Sequence, residues 1–209
     1  MKSDLNIFDL AATALRVKNH GQVTFVQVGA NDGYRFDPLR KHIVAYHWPG
    51  LLIEPQPDVF AELKQNYAGE SQLQFEQCAI VETAGPVQMW QARESGQTVM
   101  RGNLIARLHM MVRGQFRQSI TVPGLTLAMS LRKYGMRDFD LLQVDCEGHD
   151  HEVVEQALGI CNPAVIHFES RWVPRQLLAV LYERLRKRGY AIHHCNGDPC
   201  DTVAINFPP

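Results

Sequence analysis

The sequence predicts an α/β fold. Short apolar runs alternate along nearly the whole chain with longer segments of helical periodicity. Polar residues recur where the apolar runs stop, at Gly29, Glu54, Asp145 and Glu169. The 209 residues suit a single domain spanning 1–209, one that buries roughly 70% of its unfolded surface and folds without a disulfide or metal staple. No internal repeat or low-complexity linker divides it.

The elements follow in order. Leu5, Phe8, Ala12 and Leu15 recur at helical spacing and predict an amphipathic helix over 4–18. Val23–Val28 reads as the first buried strand, and 38–45 as a short helix. Leu51–Ile53 is a second strand. Pro57 can sit in the first turn of a helix running to Tyr67, with Val59, Phe60 and Leu63 as its apolar stripe. Leu73–Ile80 reads as a third strand and Val87–Trp90 as another. The stretch 92–123 carries Arg93, Arg101, Arg107, Arg113 and Arg117 with little acid and no clear strand alternation. It reads as an insertion, helical around 104–112, that either lids a site or merely connects. Thr126–Tyr134 is a helix stopped by Gly135, Phe139–Val144 a strand, Asp150–Leu158 a helix and Ala164–Phe168 a strand. Pro174–Arg188 is a long helix stopped by Gly189. Ala191–His194 and Thr202–Asn206 close the chain as strands joined by an Asn-Gly-Asp-Pro turn.

Composition narrows the function classes. With 45% hydrophobic and 21% charged residues, the chain is an ordinary globular protein and not disordered, collagenous or coiled-coil. Its 21 basic and 22 acidic residues leave a formal charge of −1, so no charge excess points to nucleic acid or an anionic membrane. Asp4, Asp9 and Arg16 break any signal-peptide core, and no run approaches membrane-span length. A cytoplasmic location and reduced thiols at Cys78, Cys146, Cys161, Cys195 and Cys200 are the expectation. His193 and His194, adjacent in a strand, point to opposite faces and cannot easily share a zinc ion with Cys195 and Cys200.

Ligands of open α/β sheets bind at the carboxyl ends of the strands. Val28-Gly29-Ala30-Asn31-Asp32-Gly33 allows a tight turn and close backbone approach there. It is not the dinucleotide fingerprint, because no third glycine opens a helix under a pyrophosphate. Glu54 ends the next strand, where a carboxylate accepts hydrogen bonds from ribose hydroxyls. A glycine loop and an acidic strand end without a phosphate cradle fit a nucleoside cofactor lacking phosphates, such as S-adenosylmethionine.

The chain resembles the FkbM-type S-adenosylmethionine-dependent methyltransferases. The resemblance rests on Val26-Gln27-Val28-Gly29-Ala30-Asn31-Asp32-Gly33, Asp37-Pro38, Leu51 to Pro57, Cys78-Ala79-Ile80, Leu141 to Asp150, Ile166-His167-Phe168-Glu169 and Asp201 to Ile205. It implies the class I methyltransferase fold, Rossmann-like, with a seven-stranded sheet, the last strand antiparallel, and helices on both faces. It implies that Gly29, Ala30, Asn31, Asp32 and Gly33 form the loop at the methionine part, that Glu54 holds the ribose, that Pro55, Gln56, Cys78 and Ala79 border the adenine, and that Asp145 lies by the transferred methyl. Many class I enzymes carry an acid where this chain has Gln27, so Asp32 or Asp145 would have to meet the cofactor's ammonium.

The implied reaction is O-methylation of a small-molecule or glycan hydroxyl. Such an acceptor must lose a proton, and a base near neutrality helps. His149, Glu147 and Asp145 are the catalytic candidates, His149 first because its ordinary pKa of about 6.5 suits the task. Asp37, Glu169 and Trp172 are candidates for the acceptor mouth, Trp172 by stacking on a sugar ring. Asp145, Glu147, His149 and Glu169 could together hold a divalent cation, but they match no known ligand spacing and activity is expected to survive a chelator. The alternatives are a non-catalytic binding domain that keeps the cofactor fold and a nicotinamide-dependent oxidoreductase. The acceptor's identity, the methylated atom and the oligomeric state are not legible.

Overall fold

Along each central strand apolar side chains face both ways, which a strand tolerates only when both faces of its sheet are covered. The computed structural model describes residues 6–92, 98–100, 116–194 and 201–207. In order these form α1 (Ile7–Lys18), β1 (Phe25–Val28), α2 (Arg40–Tyr46), β2 (Gly50–Ile53), α3 (Pro57–Asn66), β3 (Leu73–Glu76) and β4 (Ala79–Ile80). Then come β5 (Gly85–Ala92), β6 (Thr98–Met100), β7 (Phe116–Leu125), α4 (Leu127–Lys133), β8 (Leu141–Val144) and α5 (Asp150–Leu158). The chain continues through β9 (Val165–Glu169), α6 (Arg175–Lys187), β10 (Ala191–His194) and β11 (Asp201–Ile205).

The main sheet has seven strands in the order β10-β11-β9-β8-β1-β2-β3. β1 pairs parallel with β2 and β8, β2 with β3, and β8 with β9. β11 runs antiparallel between β9 and β10. This is the sheet the resemblance implies, last strand included. Val26, Val28, Leu51, Ile53, Leu142 and Val144 pack with α4, α5 and α6 on one face. Phe25, Leu52, Leu141, Val165 and Val203 pack with α1, α2 and α3 on the other. At about 25 cal/mol per Å² of buried apolar surface, these two layers carry most of the folding free energy.

The helices start and stop where their caps dictate. Asn6 caps α1, its Oδ1 accepting from the Phe8 amide at 3.0 Å. Thr126 Oγ1 accepts from the Met129 amide at the start of α4. Gly135 at φ +69° and Gly189 at φ +89° are the left-handed stops read from the sequence. Leu5 and the start of the predicted first helix lie outside the described residues.

Two strand expectations are corrected. The run Leu73–Ile80 is not one strand. It breaks after Glu76, β3 staying at the edge of the main sheet while Ala79–Ile80 pairs with Gly124–Leu125. The latter part of 92–123 is not an irregular insertion. Phe116–Leu125 runs antiparallel along Gly85–Ala92, and β4, β7, β5 and β6 make a second, four-stranded sheet. Pro123 and Gly124, residue types that ordinarily interrupt a strand, lie opposite Pro86 and Gly85 in that ladder. The predicted helix at 104–112 and the turn at 195–200 lie outside the described residues. Among the described residues no helix is long and apolar enough to cross a membrane.

Candidate active site

The loops after β1, β2 and β8 meet over a cavity of about 270 Å³. Gly29 leaves β1 at φ +77°, and its amide donates to Ile53 O at 2.9 Å. The Ala30 amide donates to the same carbonyl at 3.0 Å. A Cβ on Gly29 would sit 1.9 Å from the Asp145 carbonyl oxygen, so the β1 and β8 loops cross at a separation that only glycine allows.

Glu54 is buried at 4% exposure. Its Oε2 accepts from the Asn31 amide at 3.0 Å and its Oε1 from the Gln56 amide at 2.9 Å. Glu54 lines the cavity, and beyond these amides and the Gln56 side chain that also bonds it a carboxylate has capacity to accept from a further hydroxyl. Gln27 donates through Nε2 to Asp37 Oδ1 at 3.1 Å, and the Tyr67 hydroxyl donates to Asp37 Oδ2 at 3.0 Å. Gln27 Oε1 is buried without a hydrogen-bond partner. The side of the cavity where an acid was missing thus carries a carboxylate from ten residues onward in the chain, beside an unsatisfied acceptor.

The turn after β8 is held by Asp150. Its Oδ1 accepts from the Cys146 amide at 3.2 Å and its Oδ2 from the Gly148 amide at 3.0 Å. These bonds keep Glu147 at φ +50°, a conformation that is strained for a residue with a side chain. Glu147 thereby faces the cavity with Asp145.

Of the predicted cofactor residues, Gly29, Ala30, Asn31, Glu54, Pro55, Gln56, Cys78, Ala79 and Asp145 line this cavity, as do Asp37 and Glu147. Asp32 and Gly33 do not. Asp32 Oδ1 accepts from the Tyr34 and Arg35 amides, and Gly33 packs against Leu63 and Tyr67. His149 precedes α5 with Nδ1 3.4 Å from Glu152 Oε2, at ion-pair distance without hydrogen-bond geometry. Glu169 lines a neighbouring cavity, and Trp172 lines neither. Among the described residues no group of three or more His, Cys, Asp or Glu side chains is arranged to hold a metal ion. Met89 also lines the first cavity. It comes from the second sheet, and nothing in its sequence context signals that role. Gln91, beside it, donates to Gln56 Oε1 at 2.9 Å and ties that sheet to the rim.

The carboxyls here titrate high, burial being the main cause and neighbouring carboxylates adding to it. Asp145 is pushed up to about 6, Glu54 and Asp150 to about 7, and Glu147 to about 8. Each folded pKa exceeds the unfolded value of about 4. The stability associated with these groups is therefore complete below pH 4 and is lost as pH rises through 6 to 8. His167 works the other way. Burial lowers it to about 4, so stability is lost as pH falls below its unfolded value of about 6.5. The unliganded chain is expected to melt roughly 5–10 °C higher at pH 6 than at pH 8.5. Thermal melts by circular dichroism check this, and a Tm that rises across that interval contradicts it.

A sheet of this order, with its last strand reversed and a glycine turn and acidic strand end around a cavity, is the class I methyltransferase fold. Residues 27–192 match the methyltransferase FkbM domain, and the chain belongs to the FkbM methyltransferase family. Among solved structures, methyltransferase FkbM from Methylobacillus flagellatus KT superposes with a TM-score of 0.58 at 14% identity, over 89% of this chain and 44% of that one. The N-terminal domain of human METTL16 in complex with SAH gives 0.54 at 10% identity, over 97% and 69%. An O-methyltransferase from Bacillus cereus in complex with SAH gives 0.50 at 11% identity, over 93% and 80%. The chain thus spans less than half the length of the M. flagellatus structure. No curated protein matches the sequence.

Proposed function

We propose that the chain is an S-adenosylmethionine-dependent methyltransferase acting on a hydroxyl of a small molecule or glycan. The observation that supports this most is Glu54, buried at a strand end with both oxygens anchored on backbone amides. The cofactor, when bound, supplies an electrophilic methyl group and leaves as S-adenosylhomocysteine. The cavity fits it: the buried Glu54 carboxylate faces it with acceptor capacity for a ribose hydroxyl, Gln27 Oε1 lacks a donor that an ammonium would bring, and Gly29 leaves room beside the backbone.

In this reading Gly29, Ala30 and Asn31 border the methionine part, with Asp37 and Gln27 meeting its ammonium. Pro55, Gln56, Cys78, Ala79 and Met89 enclose the adenine. Asp145 and Glu147 face the reacting centre. Glu147 would act as the base in its ionised form, which the cofactor's positive charge would favour: it would take the acceptor's proton as the acceptor oxygen bonds the methyl carbon and the S–CH3 bond breaks. His149, the first candidate base from the sequence, lies against Glu152 and has no proton-transfer role in this reading.

Calorimetry with S-adenosylhomocysteine is the first test, with micromolar affinity the expected result. The second is methyl transfer to a panel of hydroxyl acceptors, with and without EDTA. Product is expected in both arms. No binding at millimolar concentration defeats the reading, and turnover that EDTA abolishes and magnesium restores defeats its metal-free form.

A further inference from the structure

A second cavity of about 180 Å³ adjoins the first, with Asp145, Gln143, Phe36 and Pro38 on both walls. Its floor arises from the sheet register. Gln27, Gln143 and His167 are cross-strand neighbours on β1, β8 and β9, on the face that is otherwise apolar. Gln143 is 4% exposed and His167 is 7% exposed. Gln143 Oε1 and both ring nitrogens of His167 have no hydrogen-bond partner. The His167 ring instead stacks on Phe8, centroids 4.5 Å apart. Buried polar atoms left unpaired are destabilising unless a ligand or water completes them.

The walls state what kind of ligand that is. Asp145, Glu169 and Asp201 bring three carboxyls, and Glu169 Oε2 is buried without a partner. Phe8 and Phe36 bring two aromatic rings, Phe36 being fully exposed at φ +58°. No lysine or arginine is among the described residues lining this cavity. The wall therefore offers acceptors, negative charge and aromatic faces, the complement of a group that carries hydrogen-bond donors and positive charge. Glu169, Asp201 and His167 do not line the first cavity, so the cofactor's own positive charge does not account for them.

We propose that this second cavity is the acceptor subsite and that it receives an amine-bearing, cationic part of the acceptor, its ammonium held between Glu169, Asp201 and the Gln143–His167 floor. This rests on the methyltransferase reading above and adds the chemical class of the substrate. Burial and the surrounding carboxylates raise Glu169 to about 9, and an ammonium beside it would return it to the charged form.

The test uses two matched pairs titrated into the full chain saturated with S-adenosylhomocysteine: glucosamine against glucose, and ethanolamine against ethylene glycol. In at least one pair the amine is expected to bind about tenfold more tightly than its neutral partner. Glu169→Gln is expected to abolish that preference while S-adenosylhomocysteine affinity stays within about twofold. Equal binding within both pairs, a preference that survives Glu169→Gln, or no binding of any probe at tens of millimolar overturns the proposal and leaves the methyltransferase reading standing. Failure to bind S-adenosylhomocysteine at all overturns both. The wild-type comparison is decisive by itself if the variant does not fold.

Discussion

Gly29→Ala is expected to destabilise the chain by roughly 2–4 kcal/mol, lower Tm by roughly 5–15 °C and abolish measurable binding of S-adenosylhomocysteine. Two costs combine. The residue sits at φ +77°, which an L side chain adopts only under strain. The new methyl would also sit 1.9 Å from the Asp145 carbonyl oxygen. That neighbour is backbone and cannot rotate away. The amide of Asp145 donates to Val28 O at 2.9 Å, so relief requires separating β1 from β8 at the site itself. Gly69→Ala is the control, since a Cβ there meets nothing within 4 Å, and it should stay within about 0.5 kcal/mol of wild type. Thermal melts and calorimetry on both variants decide it. A Gly29→Ala protein that melts and binds like wild type would mean that the two loops do not cross as described.

Glu54→Ala is expected to weaken S-adenosylhomocysteine at least about 100-fold. Two hydrogen bonds to a carboxylate contribute roughly 1.5–3 kcal/mol each, and each 1.4 kcal/mol is a factor of ten. Glu54→Gln should lose about tenfold, because its one carbonyl oxygen still accepts from a hydroxyl or an amide. The effect on folding is smaller than on binding. Truncation orphans the Asn31 and Gln56 amides, yet it also removes a carboxyl that burial has pushed to about 7. An affinity within threefold of wild type would remove Glu54 from the cofactor site.

The order of elements was legible because burial is written into periodicity. The runs Val23–Val28 before Gly29, Leu51–Ile53 before Glu54 and Phe139–Val144 before Asp145 each read as a strand ending in a polar turn, and each overlaps one, at Phe25–Val28, Gly50–Ile53 and Leu141–Val144. The second sheet was not legible. Its long strand contains Pro123 and Gly124, which local rules treat as breaks, and only the facing Gly85–Ala92 strand makes them a ladder. The split at Glu76 was hidden for the same reason: which sheet a two-residue bridge joins is set by a partner more than forty residues away.

The candidate site divides along the same line. Sequence by itself determined the residues that act through the chain next to them: the glycine turn, the acid ending β2 and the Asp145-x-Glu147-Gly148 turn. Spacing along one strand and its loop suffices to place these. Tertiary structure alone decided which polar groups share a wall. It set Met89 in the cavity wall and aligned Gln27, Gln143 and His167 into one buried row. Those placements follow from strand register and loop crossing. They are set by hydrogen bonds between segments distant in the chain, and no local pattern of residue types records them.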